Sequence, residues 1–127
     1  MAESKKYEIT VAPQAAYLPD QSDPSRNQYA FAYTITLTNT GTVSAQLLSR
    51  HWIITDGEHH VQEVKGLGVV GQQPLIRPGE SFEYTSGASI STAVGTMRGT
   101  YQMLAEDGQA FDATIPAFTL SVPRVLH

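Results

Sequence analysis

An all-β fold, an antiparallel sandwich of about seven short strands, is what this 127-residue chain predicts. Three observations carry it. Apolar residues recur with a period of two, the signature of a strand with one buried face, and no helical period is sustained. Turn-forming residues punctuate the chain at regular intervals. Between the turns, the alternating segments are rich in β-branched and aromatic residues, which suit a pleated, half-buried surface.

The elements follow in order. Tyr7, Ile9 and Val11 alternate with Lys6, Glu8 and Thr10, giving a first strand that ends at Pro13. The polar run from Pro19 to Asn27 is a loop. Tyr29, Phe31, Tyr33, Ile35 and Leu37 then share one face of the clearest strand, which Asn39-Thr40-Gly41 closes. From Leu47 to Thr55, Leu48, Arg50, Trp52 and Ile54 lie on one side and Ser49, His51, Ile53 and Thr55 on the other. Asp56-Gly57 predicts a hairpin, with Val61 to Lys65 as its return strand.

Further on, Arg77-Pro78-Gly79-Glu80 reads as a tight turn, with Pro at its second position and Gly at its third. Phe82 and Tyr84 mark another strand. Met97, Gly99, Tyr101 and Met103 share a face after Gly95, and Glu106-Asp107-Gly108 makes the last turn. In the final strand the apolar residues pass from odd positions (Phe111, Ala113, Ile115) to even ones (Phe118, Leu120, Val122). A bulge or a change of sheet at Pro116 would produce that switch. Trp52, mid-strand, sits where an immunoglobulin-like sandwich buries a tryptophan.

Composition narrows the function. The chain is long enough for one domain, spanning residues 1–127, with a core that needs no disulfide or metal. The net charge of −4 comes without a basic stripe, which argues against nucleic acid as a partner. No cysteine is present, so thiolate chemistry and sulfur-ligated zinc are excluded. No long apolar run suggests a membrane span, and the N-terminal residues lack the apolar core of a leader. The expected setting is the cytoplasm.

Gly66-Leu67-Gly68-Val69-Val70-Gly71 has the spacing G-x-G-x-x-G. In a nucleotide site this spacing stands between a strand and a helix N-terminus. Here Pro74, Pro78 and Gly79 follow too closely for a helix to start. A backbone nest could still hold a diphosphate, with Lys65, Gly66, Gly68, Gly71 and Arg50 as candidates and His51 or Arg77 brought near by pairing. The simpler reading makes the glycines a turn or bulges, with Leu67, Val69 and Val70 packed inward.

Arg50-His51-Trp52 is the most chemically loaded tripeptide. Arg50 and Trp52 share a face and could form a recognition patch, as such residues do in interface anchors. The competing reading buries Trp52 and leaves Arg50 along the sheet edge. Glu58-His59-His60 is weak as a metal site, because neighbouring histidines in a strand point apart. Ser81, Ser86, Ser89 and Ser91 lack a nucleophile-elbow motif, and Glu80 and Glu83 fall on opposite faces. No catalytic residue, metal ligand or cofactor is assigned.

Several blocks together resemble the ApaG family over roughly Tyr7 to Pro123. They are Phe31-Ala32-Tyr33-Thr34-Ile35-Thr36-Leu37-Thr38-Asn39, Leu47 to Asp56, the glycine block with Gln73-Pro74, Pro78-Gly79-Glu80, Phe82 to Gly87, Met97 to Tyr101, and Ile115-Pro116-Ala117-Phe118. The resemblance implies a fibronectin type III-like sandwich and a bacterial, cytoplasmic, stand-alone domain. Related domains end eukaryotic F-box and polymerase-delta-interacting proteins, where an interaction role is supposed. The resemblance also implies an association with cobalt and magnesium efflux, and diphosphate binding at the glycine motif. It implies no enzymatic activity. The expected function is a non-enzymatic module that binds an unidentified protein, with a diphosphate or dinucleoside polyphosphate at Gly66–Gly71 as the alternative.

Overall fold

Alternation becomes strand along almost the whole chain. The computed structural model describes residues 5–123. Residues 1–4, part of the segment read as lacking a leader, lie outside the described residues. The strands are β1 (Ile9–Tyr17), β2 (Tyr29–Asn39), β3 (Ala45–Asp56), β4 (Val61–Leu67), β5 (Leu75–Ile76), β6 (Ser81–Ile90), β7 (Val94–Ala105) and β8 (Ala110–Ser121). Two 3-10 turns, Pro19–Gln21 and Pro24–Arg26, occupy the predicted loop. All pairings are antiparallel. One sheet runs β1-β2-β6; the other runs β4-β3-β7-β8, with β5 on the same edge of β3 as β4. The two sheets form the predicted sandwich.

The inner faces meet over a core that contains Phe31, Ile35, Leu37, Leu47, Trp52, Tyr101, Met103, Ile115 and Leu120. Burying these side chains supplies the main driving force of the fold. Trp52 lies within 6.5 Å, centroid to centroid, of three aromatic rings: Tyr33 at 5.1 Å, Phe118 at 5.9 Å and Tyr101 at 6.3 Å. Edge-to-face contacts of this kind add to area burial.

Three local expectations change. β1 does not stop at Pro13, which instead sits opposite Ile35 within the strand. β1 is the outer strand of its sheet, and an edge is where a proline's missing N–H is tolerated. The Asp56-Gly57 hairpin forms, but over four residues, and its left-handed residue is His59 (φ 68°) rather than Gly57. The Asp56 carboxylate accepts from the Glu58 and His60 N–H groups and so shapes that turn. Finally, Leu48 does not share the buried face of Trp52. The β3–β7 register shifts between Leu47 and Ser49, so Leu47 is buried before the bulge and Trp52 and Ile54 after it.

Two other expectations hold. The β7–β8 register shifts between Met97 and Gly99, where Pro116 and Ala117 together oppose Arg98. That bulge passes burial from Ile115 to Leu120 while β8 stays in one sheet. Gly79 takes φ 83° in the turn at Arg77–Glu80, and the Glu80 N–H donates to the Arg77 carbonyl.

Asn39, the buried polar side chain at the end of β2, ties three segments together. Its Nδ2 donates to the carbonyls of Val43 (2.8 Å) and Ile76 (2.9 Å), and its Oδ1 accepts from Gly41 N–H. At the same end of the molecule, the Asp107 carboxylate accepts from the Tyr7 hydroxyl (2.5 Å) and pairs with Lys6 (2.9 Å). Those contacts fasten the segment before β1 to the β7–β8 turn.

The Tyr7 and Lys6 hydrogen bonds hold the Asp107 carboxyl below its ordinary value of 3.8, at about 2. A depressed folded-state value means that the contribution to stability is present above about pH 4 and disappears as pH falls toward 2. The melting temperature of Asp107→Asn should therefore lie below that of the unaltered chain at neutral pH. The gap should close as the pH is lowered through this window. A gap that stays constant with pH would show that the carboxylate's charge is not what fastens the segment.

Candidate functional site

The glycine block leaves the sheet edge beside the point where β3 bulges against β7. β4 pairs with β3 from Thr55 to Ser49, and β5 resumes the same edge at Gln46 and Ala45. Between them the β3 backbone bulges at Leu48, and the chain leaves the edge as a loop. The Leu48 carbonyl accepts from Gly68 N–H (2.8 Å) and from Gln73 Nε2 (2.8 Å). Leu47 N–H donates to the Pro74 carbonyl (3.0 Å). Inside the loop, Val69 and Gln72 exchange N–H···O bonds around Val70 (φ 43°) and Gly71 (φ 79°). Two consecutive positive φ values define a type I′ turn.

Close approach acts at two glycines, against backbone at Gly68 and against a movable side chain at Gly66. At Gly68 (φ 65°) a Cβ would collide with the Gln72 carbonyl. At Gly66 a Cβ would meet the Arg50 guanidinium at 2.8–2.9 Å, because that side chain lies flat across the glycine. Arg50 Nη1 donates onward to the carbonyls of Leu67 (3.1 Å) and Gly68 (2.8 Å). The arginine thus braces the start of the loop.

This geometry separates the residues proposed to hold an anion. By register Arg50 is paired with Gly66 on the parity of Trp52 and Lys65 with His51 on the other, although Arg50, His51, Lys65 and Gly66 all border one cleft at the edge. The N–H groups of Gly68, Val69 and Gln72 are all engaged by protein carbonyls. The loop turns carbonyls, not free donors, toward Arg50. The simpler packing expectation is also revised. Val69 is buried, but Leu67 is 80% exposed and Val70 54%. Leu75, across the loop on β5, is 54% exposed as well.

Trp52 is 2% exposed and therefore belongs to the core, so it does not supply the interaction surface considered for Arg50 and Trp52. Its indole Nε1 is buried without a hydrogen-bond partner among the described residues. Nearby, the Tyr84 and Tyr101 hydroxyls bond each other at 2.5 Å between the sheets. Burial pushes both phenols well above their ordinary range, and the Arg50 charge opposes that push only weakly. Alternation and turn chemistry alone give no role to this pair or to Gln73. The alternation that places Tyr84 and Tyr101 inward is visible in the sequence, but their mutual contact is not.

Among the described residues, no group of three His, Asp or Glu side chains is placed to hold a metal ion. His60 Nδ1 lies 3.1 Å from Asp56 and 3.9 Å from Glu58 in an exposed turn. On the outer face His51 Nε2 meets Glu63 at 2.8 Å. Ser91 and Thr92 make turn hydrogen bonds at Asp56 and Gly57. Among the described residues, no helix is long and apolar enough to cross a membrane.

The model of the ApaG domain matches residues 19–105. Protein ApaG of Thiobacillus denitrificans is 68% identical over 127 residues, covering the full length of both chains. Protein ApaG of Nitrosospira multiformis is 66% identical over the same span. The crystal structure of an ApaA-designated protein of Bordetella pertussis superposes with a TM-score of 0.93 at 58% identity, covering 97% of this chain and 100% of that one.

Two stability comparisons follow from the site. Gly71 has φ 79° but open space around its Cα, so Gly71→Ala should cost only the left-handed penalty of about 1–2 kcal/mol. Gly68→Ala adds a backbone collision and should cost clearly more in urea unfolding; equal losses would contradict the packing described. Trp52→Phe keeps a ring and deletes an unpartnered donor. It should cost far less than the roughly 3–5 kcal/mol of Trp52→Ala. If the two losses matched, the indole N–H would have to be satisfied in the folded protein.

Proposed function

The chain belongs to the ApaG family, and we propose that it is a non-enzymatic β-sandwich module that acts by protein–protein contact at the glycine-block edge. The observation that carries this reading is the exposure of Leu67, Val70 and Leu75 along one short stretch of edge, opposite Gln46 to Ser49. A soluble domain has no packing reason to present three large apolar side chains around a rigid turn. Clustered exposure of this kind marks a contact surface. The bulge, the Arg50 brace and the type I′ turn preorganise that surface, which lowers the entropic cost of association.

Diphosphate at the same loop is the competing reading. Three of the loop's N–H groups already bond to protein carbonyls, and Arg50 and Lys65 lie on opposite faces, which weighs toward protein contact. A role in cobalt or magnesium homeostasis would then run through the partner protein rather than through ions held here. The cytoplasm is the compartment this reading assumes.

Affinity capture from the source cell should return the same partners for the unaltered chain and for Lys65→Ala. Those partners should be lost with the triple variant Leu67→Ser, Val70→Ser, Leu75→Ser, whose melting temperature should stay close to that of the parent because all three side chains are exposed. A partner set unchanged by the triple variant would overturn the reading. In calorimetry, millimolar pyrophosphate should give no saturable heat, and saturable binding that Lys65→Ala weakens would favour the anion instead.

A further inference from the structure

The sandwich closes on one side and opens on the other. β1 and β8, the end strands of the two sheets, pack against each other. On the opposite side the end strands β6 and β4 are held apart by a cleft of about 330 Å³. Tyr33 and Trp52 form its floor, Val64 and the stretch Ser86 to Ser89 form its walls, and Arg50 enters it from β3.

Arg50 is the one charged side chain among the residues that line this cleft. The Arg50 guanidinium is half-buried and engages backbone carbonyls through Nη1, with no carboxylate within 4.0 Å among the described residues. A half-buried guanidinium without a carboxylate partner favours an anionic acceptor. The wall is distinctive too. β6 is ten residues long and unpaired on the side away from β2. It contains neither proline nor lysine, and Thr85-Ser86-Gly87-Ala88-Ser89 is small and uncharged. Natural sheet edges are usually blunted by charge, proline or a cover.

We propose that this cleft receives an extended acidic peptide segment of a partner protein. The segment adds as a strand to β6, and every second side chain points between the sheets. One of those, a carboxylate, pairs with Arg50. The inference deepens the interaction reading, since it assumes a protein partner, but it uses a different surface from the Leu67–Leu75 edge.

Trp52 is the single tryptophan of the chain, so its emission reports on the cleft floor. The probes are the blocked pentapeptide acetyl-Thr-Val-Glu-Val-Thr-amide, its Gln-for-Glu counterpart, and sodium acetate. The Glu peptide should shift the emission saturably and move backbone amide resonances of β6. Binding should weaken about tenfold or more for the Gln peptide, for acetate, and for Arg50→Gln. Ser86→Glu supplies a carboxylate inside the cleft without touching Arg50 or the glycine block, and it should abolish peptide binding in a folded protein. Equal binding of the Glu and Gln peptides, amide shifts that avoid β6, or no saturable change at millimolar peptide would each overturn the proposal. Those results leave the edge surface to its own test: partner capture that still depends on Leu67, Val70 and Leu75 keeps the interaction reading when this cleft fails.

Discussion

The bulge in β3 at Leu48 is the constraint on which the rest of the molecule turns. Among the described residues β3 is the one strand that pairs with three others, β4, β5 and β7. A single extra residue there reverses which parity faces the core, so that Ala45 and Leu47 are buried on one side of it and Trp52 and Ile54 on the other. On the edge side the Leu48 carbonyl accepts from Gly68 N–H, which continues the β3–β4 register, and from Gln73 Nε2. The glycine block departs from the sheet edge at that same point.

That origin explains why a nucleotide-like spacing arises without a nucleotide-binding context. In a phosphate loop, glycines free the backbone N–H groups to face a ligand. Here they let the chain cross Arg50, pass the Gln72 carbonyl and turn back, while the Gly68, Val69 and Gln72 N–H groups bond to protein carbonyls. Among the residues left facing solvent are the apolar side chains of Leu67 and Val70. A strained-looking loop therefore becomes a rigid platform rather than a cradle.

The same bulge sets the second surface. By turning Arg50 inward it places a guanidinium beside Trp52 and near the Tyr84–Tyr101 pair, at the side where the sheets part. The opposite side, closed by β1 and β8 and pinned by Tyr7 and Lys6 on Asp107, offers no comparable arrangement of unpartnered donors among the described residues. Polarity between a fastened side and an open one is thus built into the strand order.

The sequence by itself determined the all-β class, most strand positions, the Pro116 bulge and the Arg77–Glu80 turn. Each of these rests on neighbours a few residues apart, through alternation, turn preference or the missing N–H of proline. It also carried enough family-specific blocks to identify the family. The exposure of Leu67 and Val70, the splitting of Lys65 from Arg50 and the pairing of Tyr84 with Tyr101 were decided only by the tertiary structure. Leu47-Leu48 reads equally well in either parity, because two adjacent leucines satisfy both. The choice between them is made by the register against β7, whose residues lie more than fifty positions away in the chain. Periodicity tells a strand that it has an inner face; only its partner strands, through their register, decide which residues occupy it.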